Sequence, residues 1–322
     1  MDSGIETSET RILFQLMEHR AMQILAVVVC YKKLFEESET LQCLCEALAA
    51  EPELAAAYKL LVWDNSPEQL SSPRLPVPFT YRHSEQNLGV SGAYNSAQQI
   101  ATEQGYPWML LLDQDTKISR EVLFTMLRYG TNLLARKEIA AIAPTVRVGH
   151  IVVSPKRQLY MRNRNYPAGE CGVAAGEAIA INSGCMLRVE ALRTIGGFSP
   201  EFWLDYSDMY VFHMFFRHDL KVWRAADATI EHKMSIMDYD HLMTPWRYTN
   251  FSMAETAFHD LYRDRFENAL QTLRLFARAI KQRFKYENPE FSRIAWRQWL
   301  YRVKTSKRQR LTNWQANSTG RK

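Results

Sequence analysis

The stretch Trp108-Met109-Leu110-Leu111-Leu112-Asp113-Gln114-Asp115 decides how the chain is read. An apolar run of strand length stops at two carboxylates one residue apart. Successive strand side chains point to opposite faces, so residues two apart share one. At a strand end, Asp113 and Asp115 therefore converge on one cation or one polyol. Hard oxygen ligands suit Mg2+ or Mn2+, ions that usually come with a diphosphate to complete their shell. The pattern equally suits a plain strand end followed by a helix capped by Ser119. The rest of the chain has to separate the two readings.

Working outward, Ile24–Cys30 is a continuous apolar run suited to a buried parallel strand. Leu41, Leu44, Cys45 and Leu48 recur at helical spacing within Glu37–Ala50. A second strand, Lys59–Trp63, ends at the turn signal Asp64-Asn65-Ser66-Pro67. A proline-rich connector (Pro73, Pro76, Pro78) leads to a short strand at Phe79–Arg82. A helix over Val90–Gln104, the strand Trp108–Leu112, a helix over Ser119–Arg136 and a strand over Ile139–Val146 follow. Repeated strand–helix–strand units predict an open, mostly parallel central sheet with helices on both faces. Ligands of such sheets bind beyond the carboxyl ends of the strands. Lys32-Lys33, Asp64-Asn65 and Asp113 to Asp115 all fall at that edge.

The second half changes character. Gly149–Gly176 is polar with little periodicity and reads as a hairpin or mobile loop. Ala180–Val189 reads as a strand, with a short helix and the turn Gly196-Gly197-Phe198 after it. From Thr244 the pattern is helical and basic. Phe266, Leu270, Leu273, Phe276, Ala277, Ile280 and Phe284 form one stripe, wide enough to be expected to pack on the preceding domain or on a second subunit. Residues 304–322 read as a frayed cationic terminus. The expected division is an N-terminal helical extension (1–20), a main α/β domain (21–243) and a basic helical C-terminal extension (244–322).

Composition bounds the partners. The 322 residues, 47% hydrophobic and 12% aromatic, fit a folded protein with a large core. The apolar runs are far too short to span a bilayer, and Asp2, Glu6 and Glu9 stand where an export signal needs positive charge. Five cysteines, with Cys43-Leu44-Cys45 lacking the gap of a zinc or redox pair, point to a reducing, cytoplasmic setting. From Arg263 to Lys322 there are 16 Lys/Arg against 4 Asp/Glu, a balance of +12, so a net +5 leaves −7 on the first 262 residues. An acidic body with a cationic tail is a statement about partners. For the basic, Trp-containing part beyond Arg293 it predicts attachment to the anionic inner face of the cell membrane.

The order of motifs resembles glycosyltransferase family 2, and within it the bacterial rhamnosyltransferase-like members. The matching residues are Val29-Cys30-Tyr31, then Val62-Trp63-Asp64-Asn65-Ser66, then Asn87-Leu88-Gly89-Val90-Ser91-Gly92-Ala93-Tyr94-Asn95, then Leu111 to Asp115. Asn182-Ser183-Gly184, Gly196-Gly197-Phe198, Trp203-Leu204-Asp205-Tyr206-Ser207-Asp208 and Glu231-His232 complete the set. Each is weak alone; their order and spacing over residues 24–235 are specific. The resemblance implies a GT-A type nucleotide-diphosphosugar transferase fold and inverting, metal-dependent sugar transfer in O-antigen or capsule assembly.

It also implies roles. Asp64 would receive the imide of a uracil or thymine base, with Tyr31, Asn65, Asn87, Gly89, Gly92, Asn95 and Asp113 lining the nucleotide-sugar pocket. Asp115 and His232 would hold Mg2+ or Mn2+ at the diphosphate. Asp208 would be the general base, and Ser183, Gly184, Trp203 and Asp205 would meet the acceptor. The implied donor is a nucleoside-diphosphate sugar, dTDP-L-rhamnose ahead of a UDP-hexose, and the implied acceptor is a glycan or lipid-linked oligosaccharide. A homo-oligomer fits these expectations; a nucleic-acid partner is not expected. The sequence departs from the family at Tyr210, where an acidic residue is common, at Met214 for arginine and at Ser235 for glycine. Its first loop reads Cys30-Tyr31-Lys32 in place of Thr-Tyr-Asn.

Other classes fit less well. A haloacid dehalogenase-type phosphotransferase wants Thr or Val where Lys117 stands, and places its aspartates on the first strand. A dinucleotide-dependent oxidoreductase needs a glycine-rich turn after that strand, whereas Cys30 to Leu34 has no glycine. A nucleic-acid-binding protein is the competitor from another class, because of the basic tail. It requires exposed stacking aromatics, whereas Phe276 and Phe284 follow core spacing.

Overall fold

Ile24–Cys30 forms β1 with all seven residues buried, because β-branched and aliphatic side chains on both faces meet helices above and below. The computed structural model describes residues 22–70, 74–159, 162–232 and 239–319. The expected N-terminal extension, Pro73 and Ser235 lie outside the described residues. After β1 come α1 (Glu39–Ala50), α2 (Pro52–Ala57), β2 (Tyr58–Asp64), β3 (Phe79–His83), α3 (Gly89–Gln104), β4 (Trp108–Asp113), α4 (Arg120–Asn132) and β5 (Ile139–Val148). β1 runs parallel to β2 on one side and β4 on the other, and β2 carries β3 in parallel. In that register Cys30 lies opposite Asp64 and Val29 opposite Asp113, so the polar ends of these strands share one edge.

The chain continues through β6 (Ile151–Ser154), β7 (Lys156–Leu159), β8 (Arg162–Asn165), β9 (Gly172–Val173), β10 (Ala178–Ile179), β11 (Met186–Arg188), α5 (Val189–Thr194), α6 (Ser207–Arg217) and β12 (Lys221–Glu231). The main sheet has the order β3-β2-β1-β4-β11-β5-β12-β9, with β6 on β5; β10-β7-β8 form a small second sheet. β12 is parallel to β5 and β11 antiparallel to both neighbours. One face packs Ile24, Ala26 and Val28 against α1 and α4. The other packs Leu25, Val27 and Val29 against α3, α5 and α6. This is the expected mostly parallel α/β architecture of GT-A type.

Two expected boundaries move. The strand read over Ala180–Val189 is only Met186–Arg188, because Gly184 turns the chain with φ +84° and a Cβ there would lie 2.3 Å from Ile230 Cδ1. The helix read to Arg136 stops at Asn132. Buried Arg188 lies over the Trp108 ring at 4.2 Å and donates to the carbonyls of Leu133, Leu134 and Arg136, so these leave the helix to satisfy it.

Four helices follow: α7 (Pro245–Tyr262), α8 (Arg265–Lys285), α9 (Glu290–Lys304) and α10 (Lys307–Thr319). Buried ion pairs fix them. Arg278 grips Glu255 at 2.6 and 2.7 Å, Arg310 grips Asp260 at 2.7 and 2.8 Å, and Arg263 grips Glu177 at 3.0 and 2.9 Å. The expected frayed terminus is therefore corrected. α10 is a helix whose Trp314 is buried 5.8 Å from the Phe202 ring. The expected packing of the α8 stripe on the rest of the chain is corrected as well: the helix buries Gln271, Leu275, Ala279 and Gln282, leaving Phe266, Leu273, Phe276, Ile280 and Phe284 exposed. The core-spacing argument against a nucleic-acid partner goes with it. Nor are Arg278 and Arg302 surface charges, since both are held in internal pairs.

Candidate functional site

Each end of the main strands is tied to its neighbour. Gln114, between the two aspartates, accepts from Tyr31 N–H at 2.9 Å and donates to Tyr31 C=O at 3.4 Å, locking β4's end to β1's. Buried Ser183 Oγ accepts from Asp113 N–H at 3.1 Å and touches the Thr116 hydroxyl, so it supports the aspartate turn from below. Lys117 and Glu231 form an isolated antiparallel bridge, and His232 N–H donates to Arg147 C=O at 2.9 Å. These ties carry His232 from the end of β12 to the turn after β4. Asp113, Asp115 and His232 then each offer a ligand atom, all within 4.8 Å of one another.

Two carboxylates and an imidazole at that spacing suit a divalent cation of the Mg2+ or Mn2+ kind. Among the described residues the buried Nδ1 of His232 has no hydrogen-bond partner, as an atom does when its natural partner is a ligand. Burial pushes the Asp113 carboxyl up; the charge of His232 pulls it back, Asp115 pushes it further up, and Arg247 pulls it down. A bound cation would relieve this crowding of acids.

Asp208 stands on the first turn of α6, after Tyr206 in the left-handed region at φ +68°. That conformation costs a bulky residue about 1–3 kcal/mol, and here it sets the chain between Asp205 and the helix. Burial raises the Asp208 carboxyl to about 6, against the pull of a hydrogen bond from Met209 N–H at 2.7 Å; the charges of Asp205 and Asp113 add to the rise. A carboxylate of that kind is basic enough to take a proton from a hydroxyl and remains charged at neutral pH.

The structure gathers Tyr31, Asp113, Asp115, His232, Asp205 and Asp208 around the carboxyl edge, and gives others architectural partners. The Asp64 carboxylate is buried, accepting from Ser66 N–H (2.8 Å), Leu70 N–H (3.1 Å) and Tyr81 O–H (2.8 Å), so a ligand group reaches it only by sharing or exchanging with these donors. Asn65 donates to Gly89 C=O at 2.9 Å and accepts from Trp63 Nε1. Asn87 accepts from Gly89 N–H at 2.9 Å. Asn95 pairs both ways with the Phe198 backbone at 2.8 Å. The close approach that Gly89 permits, at φ +65°, is to the chain's own Trp203, whose carbonyl would lie 2.1 Å from a Cβ. At Gly92 the neighbour is Leu88. Gly184 packs under Ile230 and Ser183 under Asp113, so neither presents a free side chain to an acceptor.

Three residues escape sequence reasoning. Gln114 sits inside the decisive motif but carries no charge to mark it. Arg247, on the first turn of α7, lies 3.4 Å from Asp205 and its charge reaches Asp113. Glu177 joins His213 of α6, at 2.8 Å, to Arg263. Both lie outside the motifs, and only the fold brings them in. Tyr210 and Met214 have a packing reason: Tyr210 lies 5.9 Å from Tyr262, where the C-terminal helices dock, and Met214 packs beside the α6 core.

The sequence profile of glycosyl transferase family 2 matches residues 26–196. No curated protein matches the chain. Among solved structures it is similar to S. aureus TarS (14% identity, 83% of this chain and 44% of that one, TM-score 0.48). It is similar to TarS 1–349 in complex with UDP-GlcNAc (15% identity, 88% and 80%, TM-score 0.49). It is also similar to GalNAc-T7 with UDP, GalNAc and Mn2+ (9% identity, 89% and 56%, TM-score 0.53). The chain thus spans under half of full TarS, and the likeness to GalNAc-T7 is one of fold.

Proposed function

The chain belongs to glycosyl transferase family 2, and we propose that it is an inverting, divalent-cation-dependent hexosyltransferase drawing its sugar from a nucleoside diphosphate. The observation that carries this reading is the convergence of Asp113, Asp115 and His232 at the strand edge, with the raised carboxyl of Asp208 beside them. The acceptor hydroxyl gives its proton to Asp208 as its oxygen attacks the anomeric carbon from the face opposite the leaving group. The carbon–oxygen bond to the diphosphate breaks with its electrons moving to the phosphate, and the anomeric centre inverts. A cation held by Asp113, Asp115 and His232 supplies the positive charge that a departing diphosphate requires. Arg247 adds a second positive charge from the helical region, and Tyr31 flanks the same edge.

On the resemblance to rhamnosyltransferase-like members we favour dTDP-L-rhamnose as donor. The acceptor in this reading is a glycan or lipid-linked oligosaccharide of bacterial surface polysaccharide assembly, met at the cytoplasmic face of the membrane. A UDP-hexose is the alternative, since uracil and thymine present the same imide; UDP and Mn2+ are what the GalNAc-T7 structure contains. Calorimetry of dTDP and UDP with Mn2+ present tests the reading. Binding of at least one, lost on chelation, is expected, and no binding of either overturns it.

A further inference from the structure

α8 carries its apolar stripe on the side turned away from the fold. Phe284 is 86% exposed, Phe266 66% and Leu273 64%, with Ile280 between them. At 1.5 Å per residue the stripe from Phe266 to Phe284 runs about 27 Å. The neighbouring α9 extends it with exposed Trp296 and Val303, and Phe276 joins the two helices through Trp296 (5.6 Å) and Trp299 (5.2 Å). Helical spacing sets exposed Arg265 and Arg283 along one flank and exposed Arg274, Lys281 and Lys285 along the other. Glu267 is the one acid on α8. Soluble surfaces rarely leave so continuous an apolar face without a partner.

We propose that the exposed apolar stripe of α8 with Trp296 and Val303 of α9, edged on both flanks by Lys and Arg, docks on an anionic lipid bilayer. The apolar side chains enter the headgroup boundary and the basic rows meet lipid phosphates, the arrangement of an interfacial amphipathic helix. No helix among the described residues is long and apolar enough to cross a membrane, so the attachment lies along the surface. A second copy fits this face poorly, because a two-fold contact lays a cationic rim on its own image. Nucleic acid fits less well: Phe266, Phe284 and Trp296 present rings, but Leu273, Ile280 and Val303 between them are aliphatic surface that stacked bases leave wet and a lipid interior covers. The anchor is thus the α8–α9 face; α10, expected to contribute, is held by Trp314 and Arg310 against the fold. That docking serves transfer rests on the lipid-linked acceptor proposed above, whereas the docking itself is measured with no substrate present.

The test is flotation of the full chain with phosphatidylcholine vesicles, with and without phosphatidylglycerol. Wild type should float with anionic vesicles only and be released by high salt. L273E/F284E and, separately, K281E/K285E should lower vesicle partitioning by at least about ten-fold, with unchanged melting because all four positions are exposed. The proposal is overturned if wild type fails to float or if both variants float as wild type does. It is also overturned if L273E/F284E converts a wild-type dimer to monomer, which assigns the face to a second copy. Oligonucleotide binding that displaces vesicles and needs the same residues overturns it as well. Calorimetry of the same proteins with UDP or dTDP and Mn2+ keeps the readings apart. Lost nucleotide binding beside intact flotation counts against sugar transfer alone.

Discussion

At Asp208 burial and two neighbouring acids oppose ionisation, and the balance, at about 6, sets a pH dependence. In the proposed mechanism only the deprotonated carboxylate accepts the hydroxyl proton, so transfer should rise as pH passes upward through the carboxyl's range and level off above it. A cation on Asp113 and Asp115 offsets the repulsion from Asp113, so the inflection measured with Mn2+ should lie at or below 6. Asp208→Asn keeps the shape and loses the base; kcat should fall about 10²–10⁴-fold while nucleotide binding by calorimetry persists. Wild-type turnover in that variant would move the base elsewhere, first to Asp205. Asp115→Ala should weaken Mn2+ and nucleotide together, which a metal titration with and without UDP reads directly. Arg247→Met should weaken binding of the diphosphate more than that of the nucleoside, and equal loss for both would remove it from the phosphate site.

Among the elements, α6 and α7 are joined through Glu177. Burial pushes its carboxyl up, but the hydrogen bonds from His213 and Arg263 and the charge of Arg263 prevail and hold it at about 2. A depressed carboxyl gives stability that is present above its unfolded value of about 4.5 and is lost as pH falls toward 2. His259 on α7 adds to the same side: burial holds it down at about 4, below the ordinary 6.5. Between those values the unfolded chain binds the proton more tightly, so stability falls as pH drops through that window. Denaturant midpoints should therefore decline from about pH 6.5 downward, first from His259 and then from Glu177. Glu177→Gln, which strands buried Arg263, should cost about 3–5 kcal/mol at neutral pH and flatten the lower part of that decline.

The same scale shows what a sequence can and cannot say. β1, β2 and β4 are legible because parallel strands buried on both faces must be apolar throughout. The aspartate pair is legible because an apolar strand stops on it, although Asp115 already stands in the turn after β4, so the turn rather than strand alternation sets it beside Asp113. The stripe on α8 is legible as a stripe, but periodicity does not tell which side of a helix meets the fold; that was settled by Glu255 and Gln282, polar residues buried by pairing with Arg278 and Tyr248. α10 was illegible because Trp314 and Arg310 hold it to the fold from within a polar sequence. The architectural duties of Asn65, Asn95 and Gly89 arise from Gly89, Phe198 and Trp203 respectively, partners distant in the sequence. No local pattern encodes those.

Across the whole molecule, the helical region is part of the same body as the sheet. Trp314→Ala should cost about 3–5 kcal/mol, read as a lowered denaturant midpoint, because the void opens beneath Phe202. The backbone of Phe202 and Trp203 holds Ser91 at 2.6 and 3.1 Å, at the start of α3. The support of the candidate donor loop therefore passes through a ring supplied by the last described helix. Chain order gives this a temporal side. A ribosome releases the complete sheet, through Glu231, before it has made residue 314. At about 5–20 residues per second, the nascent protein carries a finished sheet and an unbuttressed loop for several seconds. During that interval Phe202 is an exposed greasy surface, an address for a chaperone rather than a wall of a site.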